Sequence, residues 1–213
     1  GAGIDILVGG SGNDNIRGGD DNDEIYGSLG SDILYGDLGS DIINGGEDND
    51  LIFGGIGNDI VYGGSGDDSV YGEIGNDYVI GGEGNDIVDG FDGDDILFAG
   101  KGNDTLDGGR GLDTFVFRAG DGQDTVTDTD GANDVIKFTD IASSQITITK
   151  NNNNLIIGFL VFRSSSYSGY NVTLLMDFLL LEDLNFFSLW ALRMKLINEA
   201  IFSNNDILFT IIN

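Results

Sequence analysis

Apolar residues recur along the first half of this chain with a fixed period of nine. Written in nines from Gly9, the sequence runs GGSGNDNIR, GGDDNDEIY, GSLGSDILY, GDLGSDIIN, GGEDNDLIF, GGIGNDIVY, GGSGDDSVY, GEIGNDYVI, GGEGNDIVD, GFDGDDILF, AGKGNDTLD, GGRGLDTFV; residues 1–8 (GAGIDILV) are a thirteenth copy lacking its first residue. Position eight is apolar in all thirteen, from Leu7, Ile16 and Ile25 to Leu106 and Phe115, and nothing interrupts the period before residue 117. An internal repeat of this kind marks a stacked architecture. Positions seven to nine are mostly β-branched, long apolar or aromatic, which predicts three residues of strand with the eighth side chain facing inward. Two nonamers then make one coil with a strand on each side, and stacked coils form two parallel sheets with rungs about 4.8 Å apart. Such a core is a single aliphatic column, too slender to hold the fold by burial alone.

The polar positions are equally regular. Position six is Asp in every copy: Asp5, Asp14, Asp23, Asp32, Asp41, Asp50, Asp59, Asp68, Asp77, Asp86, Asp95, Asp104 and Asp113. Position four is Gly in eleven, with Asp21 and Asp48 the exceptions. Consecutive glycines let the backbone take positive φ and turn sharply, with their carbonyls expected to face a shared centre. An Asp at fixed spacing adds the carboxylate that a hard, oxygen-preferring cation requires. Asn at position five (Asn13, Asn22, Asn49, Asn58, Asn76, Asn85, Asn103) reads as a turn-former rather than a ligand.

Composition sharpens the picture. The 213 residues include 36 Gly and no Pro, Cys or His. Absence of Pro suits a ladder in which nearly every backbone N–H is used. Absence of Cys and His excludes the usual structural zinc sites, disulfides and nucleophilic triads. No phosphate-binding or dinucleotide fingerprint occurs, and the carboxylates form a regular ladder rather than a shaped cleft, so no enzyme activity is expected within these residues. The balance of 37 acids against 9 bases, net −28, repels nucleic acid and anionic lipid and calls for a divalent counter-ion. The chain opens inside a repeat without a Met, and is expected to be part of a longer protein.

The pattern GGxGxDxUx, with U a large apolar residue, resembles the RTX (haemolysin-type calcium-binding) repeat over residues 1–116. The resemblance implies an all-β, right-handed parallel β-roll (a β-solenoid) with Ca2+ between the loops of repeats n and n+2. The ions would be held by carbonyls of positions one, two and four and by both position-six carboxylates. Carried over, Asp59 and Asp77 pair with Gly54, Gly55, Gly57, Gly72 and Gly75. Asp68 and Asp86 pair with Gly63, Gly64, Gly66, Gly81, Gly82 and Gly84, and Gly9, Gly10 and Gly12 open the first complete copy. Thirteen half-turns offer at most about eleven such sites. Ser28, Asp37, Glu73, Phe91 and Ala99 replace Gly at positions one or two, so the weakest sites are expected near residues 18–53 and 90–100.

Positions seven and nine should face outward. Alternate half-turns carry Ile42/Asn44, Ile60/Tyr62, Tyr78/Ile80 and Ile96/Phe98, the others Ile33/Tyr35, Leu51/Phe53, Ser69/Tyr71, Ile87/Asp89 and Thr105/Asp107. The first of these faces stays apolar for longer, as a surface covered by the C-terminal segment or as a docking face for a passenger domain. Residues 117–140 keep acids and turn residues but lose the period; they read as the cap of the array, where Asp121, Asp124, Asp128 and Asp134 either close a last site or form a solvated loop.

Residues 141–213 hold only 5 acids and 4 bases and form a C-terminal flanking segment. Residues 145–150 and 155–159 around four Asn predict a β-hairpin. Phe186, Leu189, Trp190, Ile197 and Ile201 keep helical spacing, predicting a helix over the roll's end, and no apolar run is long enough for a transmembrane helix. Residues 206–213 are either a last edge strand or, by the same resemblance, an uncleaved signal for a type I export system. The functional expectation is a calcium-driven folding and export module of a secreted protein. The alternatives are a calcium-stiffened structural or adhesive array of a surface protein, or the accessory domain of a secreted protease, lipase or epimerase.

Overall fold

The computed structural model describes residues 1–127, 134–139, 146–151, 154–159, 174–177 and 207–212. Each nonamer contributes one strand and one tight loop, and successive strands alternate between two sheets. The first sheet is ordered β1 (Ile6–Ser11), β3 (Glu24–Leu29), β5 (Ile42–Glu47), β7 (Ile60–Ser65), β9 (Tyr78–Glu83), β11 (Ile96–Lys101), β13 (Thr114–Arg118), β15 (Val135–Thr139), β19 (Ile207–Ile212) and β18 (Leu174–Asp177). The second is ordered β2 (Asn15–Asp20), β4 (Ile33–Leu38), β6 (Leu51–Ile56), β8 (Ser69–Ile74), β10 (Ile87–Asp92), β12 (Thr105–Asp107), β14 (Gln123–Thr127), β17 (Asn154–Phe159) and β16 (Ile146–Asn151).

Pairing is parallel through β14 and β15, in a register of one coil: Ile52 lies opposite Val70, and Val61 opposite Val79. The molecule is a parallel β-solenoid. Position eight makes its core, a column in which Ile25, Leu34, Ile43, Ile52, Val61, Val70, Val79, Val88, Leu97, Leu106 and Phe115 are fully buried. Phe117, Val126, Ile136 and Phe138 extend the column past the last nonamer.

Two expectations need correction. β1 to β11 are six residues long, not three, because they run from position seven into position three of the next copy. The leading glycines therefore lie inside strands, and the turn is confined to positions four to six. Position one never takes positive φ; its glycine serves close approach instead. A Cβ built on Gly54 would stand 2.5 Å from the Gly72 carbonyl oxygen of the next rung and 2.8 Å from Oδ2 of Asp59.

The hairpin of β16 and β17 forms as expected, with β17 antiparallel to β14. β19 is no edge strand: it pairs antiparallel with β15 on one side and parallel with β18 on the other. The predicted helix around Phe186–Ile201 and the acid Asp128 lie outside the described residues. Among those described, no helix is long and apolar enough to cross a membrane.

Candidate metal centre

The loops stack in two columns along the sides of the roll, and most of their N–H groups donate to a neighbouring rung. In the loop before β7, Gly57 N–H donates to Ile74 O at 2.8 Å, and Ile60 N–H to Asp41 O at 2.9 Å. Asn58 N–H donates to Ser40 Oγ at 3.1 Å and Asp59 N–H to Asp77 Oδ1 at 2.8 Å. Proline at positions four to seven would remove one of these donors in most copies, in keeping with its absence from the repeats.

The sixth-position aspartates form a continuous ladder. Each Asp N–H donates to Oδ1 of the Asp one coil on, from Asp5 with Asp23 at 2.7 Å to Asp95 with Asp113 at 2.9 Å. The position-five side chains run the other way, Asn58 Oδ1 accepting Asn76 N–H at 2.9 Å and Asn85 Oδ1 accepting Asn103 N–H at 3.1 Å. Position five is thus a rung-to-rung hydrogen-bonding residue as well as a turn-former.

The ladder continues where the period stops. Asp104 N–H meets Asp124 Oδ1 and Asp113 N–H meets Asp134 Oδ1, at spacings of 20 and 21 residues instead of 18. The strands stay in line despite the extra residues, Leu106 opposite Val126 and Phe115 opposite Ile136. The legible signal is the Asp-x-apolar triplet, which survives in Asp124-Thr-Val126 and Asp134-Val-Ile136. Asp121 stands apart from this ladder, its Oδ2 accepting Arg118 N–H.

The second carboxylate oxygen carries the chemistry. Oδ2 of every position-six aspartate from Asp14 to Asp104, and of Asp124, is buried and has no hydrogen-bond partner. A buried carboxylate oxygen without a donor or cation is strongly disfavoured. Desolvation, reinforced by neighbouring aspartates, pushes Asp50, Asp59, Asp86, Asp95 and Asp124 up to about 7. Burial likewise pushes Asp68 and Asp77 up to about 6. In each case the backbone N–H bond to Oδ1 opposes the shift without cancelling it. Among the described residues no three acidic side chains converge on one point, so a cation here would draw on carboxylates in pairs together with backbone carbonyls. The arrangement fits a hard ion: Oδ2 of Asp59 and the carbonyl of Gly72 flank the same bare Cα of Gly54, and hard ions take such mixed oxygen sets.

A family model for the RTX calcium-binding nonapeptide repeat matches residues 1–34, 26–61, 35–70, 53–88 and 89–126. The chain belongs to this family. A search of curated proteins finds no match. In this RTX array calcium is the expected ion of the family. The RTX match ends at residue 126, just past Asp124, so it takes in the first of the two ladder residues beyond the strict nonamers.

Proposed function

We propose that calcium binding by the sixth-position aspartates drives folding of this module once it reaches calcium-rich surroundings outside the cell. The supporting observation is the row of buried Oδ2 atoms that have no partner within the protein. Without cations these carboxylates repel one another, and a one-residue-wide core does not offset backbone ordering at ~1–2 kcal/mol per residue. Calcium, when bound, supplies charge neutralisation and cross-links nonamer n to nonamer n+2 on the next rung, so that binding free energy becomes folding free energy.

In this reading Asp59 and Asp77 hold an ion with Gly54, Gly55, Gly57, Gly72 and Gly75, and Asp68 and Asp86 hold another with Gly63, Gly64, Gly66, Gly81, Gly82 and Gly84. The remaining pairs repeat the scheme up to about eleven ions. Residues 1–116 are the calcium-binding array, 117–140 its cap, and 141–213 a flanking segment that carries the signal for a type I exporter. Sites of this kind in extracellular modules work at ~10⁻⁴–10⁻³ M, far above resting cytosolic calcium, which keeps the chain open until export. Far-UV circular dichroism tests the proposal: a coil-like spectrum in chelator should convert to a β-spectrum in millimolar calcium. Retention of the β-spectrum in chelator would refute it.

A further inference from the structure

Position two carries a non-glycine residue at Ser28, Asp37, Glu73 and Phe91, all at positive φ. Three of these, Asp37, Glu73 and Phe91, lie on one sheet in β4, β8 and β10, with Gly55 of β6 in register between the first two. Side chains held at φ of 70–78° where the repeat elsewhere uses glycine are strained, and strain of this kind gathers at functional sites. Beside them runs a column of stacked position-nine rings. Tyr35 and Phe53 lie 5.1 Å apart, Phe53 and Tyr71 5.2 Å apart, and Phe91 meets Tyr71 edge-on at 5.9 Å.

The upstream end of the column shows what such a set of groups holds. The Arg17 guanidinium stands 4.6 Å from the centre of the Tyr35 ring and grips Asp37 with two hydrogen bonds, of 3.0 and 2.6 Å. Arg17 is in register with Tyr35 on the preceding strand. Two strands further along the sheet, Tyr71 and Glu73 repeat the places of Tyr35 and Asp37, but the residue in register before Tyr71 is Phe53. Gly55, with no side chain, leaves a notch of about 280 Å³ between Asp37 and Glu73, walled by Tyr35 and Phe53 and closed at one end by Arg17. A second hollow of about 240 Å³ continues past Glu73 toward Phe91 and Asp92. No basic side chain among the described residues pairs with Glu73.

We propose that Glu73 binds an arginine side chain of another polypeptide in the notch over Gly55, its guanidinium paired with the carboxylate as Arg17 is paired with Asp37. A planar guanidinium pairs bidentately with a carboxylate, and its weakly hydrated faces tolerate the apolar walls of the notch, whose rings are already stacked on one another. A chain of net −28 attracts a basic partner. Free arginine is the poorer ligand, because a chain of net −28 repels its α-carboxylate.

The test is an NMR titration of the calcium-loaded chain with N-acetyl-arginine amide. Amide shifts should centre on Phe53, Gly55 and Glu73 and saturate in the ~mM range. Glu73→Gln should weaken the response at least about fivefold, and Phe53→Arg, which recreates the Arg17 arrangement inside the protein, should abolish it. Uncapped arginine should bind more weakly. The site is disproved if those amides do not respond, or respond equally in the Glu73→Gln variant with its calcium-induced circular dichroism intact. Equal binding of uncapped arginine would overturn the assignment to a polypeptide.

Discussion

At the scale of single residues, glycine performs two separate tasks in each repeat. At positions two and four it supplies positive φ, and all six non-glycine residues found at positive φ, namely Asp21, Ser28, Asp37, Asp48, Glu73 and Phe91, occupy those two positions. Position one instead favours a bare Cα, as at Gly54 against Gly72 O, with Ala99 the one copy that carries a methyl group there. The two tasks predict opposite responses to substitution. Ser28→Gly should stabilise the calcium-loaded roll by about 1 kcal/mol through relief of left-handed strain, read as a rise in melting temperature. Gly54→Ala should cost roughly 1–3 kcal/mol, since its methyl group meets backbone that cannot yield, and a melt unchanged from the parent would refute the close-approach argument. The sequence alone shows the glycines and their turn-forming capacity. It does not show which ones face a neighbouring rung, because that contact joins residues one coil apart.

At the scale of elements, the strict apolar eighth position made the strands, their parallel stacking and the inward column legible, since one place per nonamer must be buried in every rung. Strand length was not legible: the second half of each strand is rich in glycine, whose low β-propensity is overridden by the rung-to-rung register. The last coil was hidden for a different reason, the 20- and 21-residue spacings that carry Asp124 and Asp134 into line. What joins the loops is the pair of opposed hydrogen-bond columns at positions five and six. Asn58→Leu removes the acceptor for Asn76 N–H and should cost about 0.5–1.5 kcal/mol, with faster hydrogen exchange at Asn76 than at Asn103, whose acceptor Asn85 is untouched. Uniform acceleration along the column would instead mean that the rungs open as one unit.

At the scale of the whole molecule, the roll concentrates carboxylates where they are least favourable as bare charges, and protons and calcium compete for the same oxygens. The sign of the pH dependence follows. Burial raises Asp50, Asp59, Asp86 and Asp95 to about 7 in the fold, while in the unfolded chain an Asp titrates near ~3.9. A raised acid stabilises the folded state below its unfolded value and loses that contribution as pH climbs through the folded one. In chelator, therefore, the roll should be most populated below about pH 4 and least at about pH 8, the reverse of an acid-denatured protein. With calcium present the order inverts, because the ion requires ionised ligands: apparent affinity should fall as pH drops through about 7 to 6. Replacing Asp50, Asp59, Asp86 and Asp95 together by Asn keeps an oxygen to accept the neighbouring Asp N–H and removes the titrating charge. That variant should show more β-structure in chelator at about pH 8 than the parent, flatten the pH dependence, and bind fewer calcium ions by calorimetry. If it were as unfolded in chelator as the parent, repulsion among buried carboxylates would not be what keeps the calcium-free chain open, and the thinness of its core would have to account for that alone.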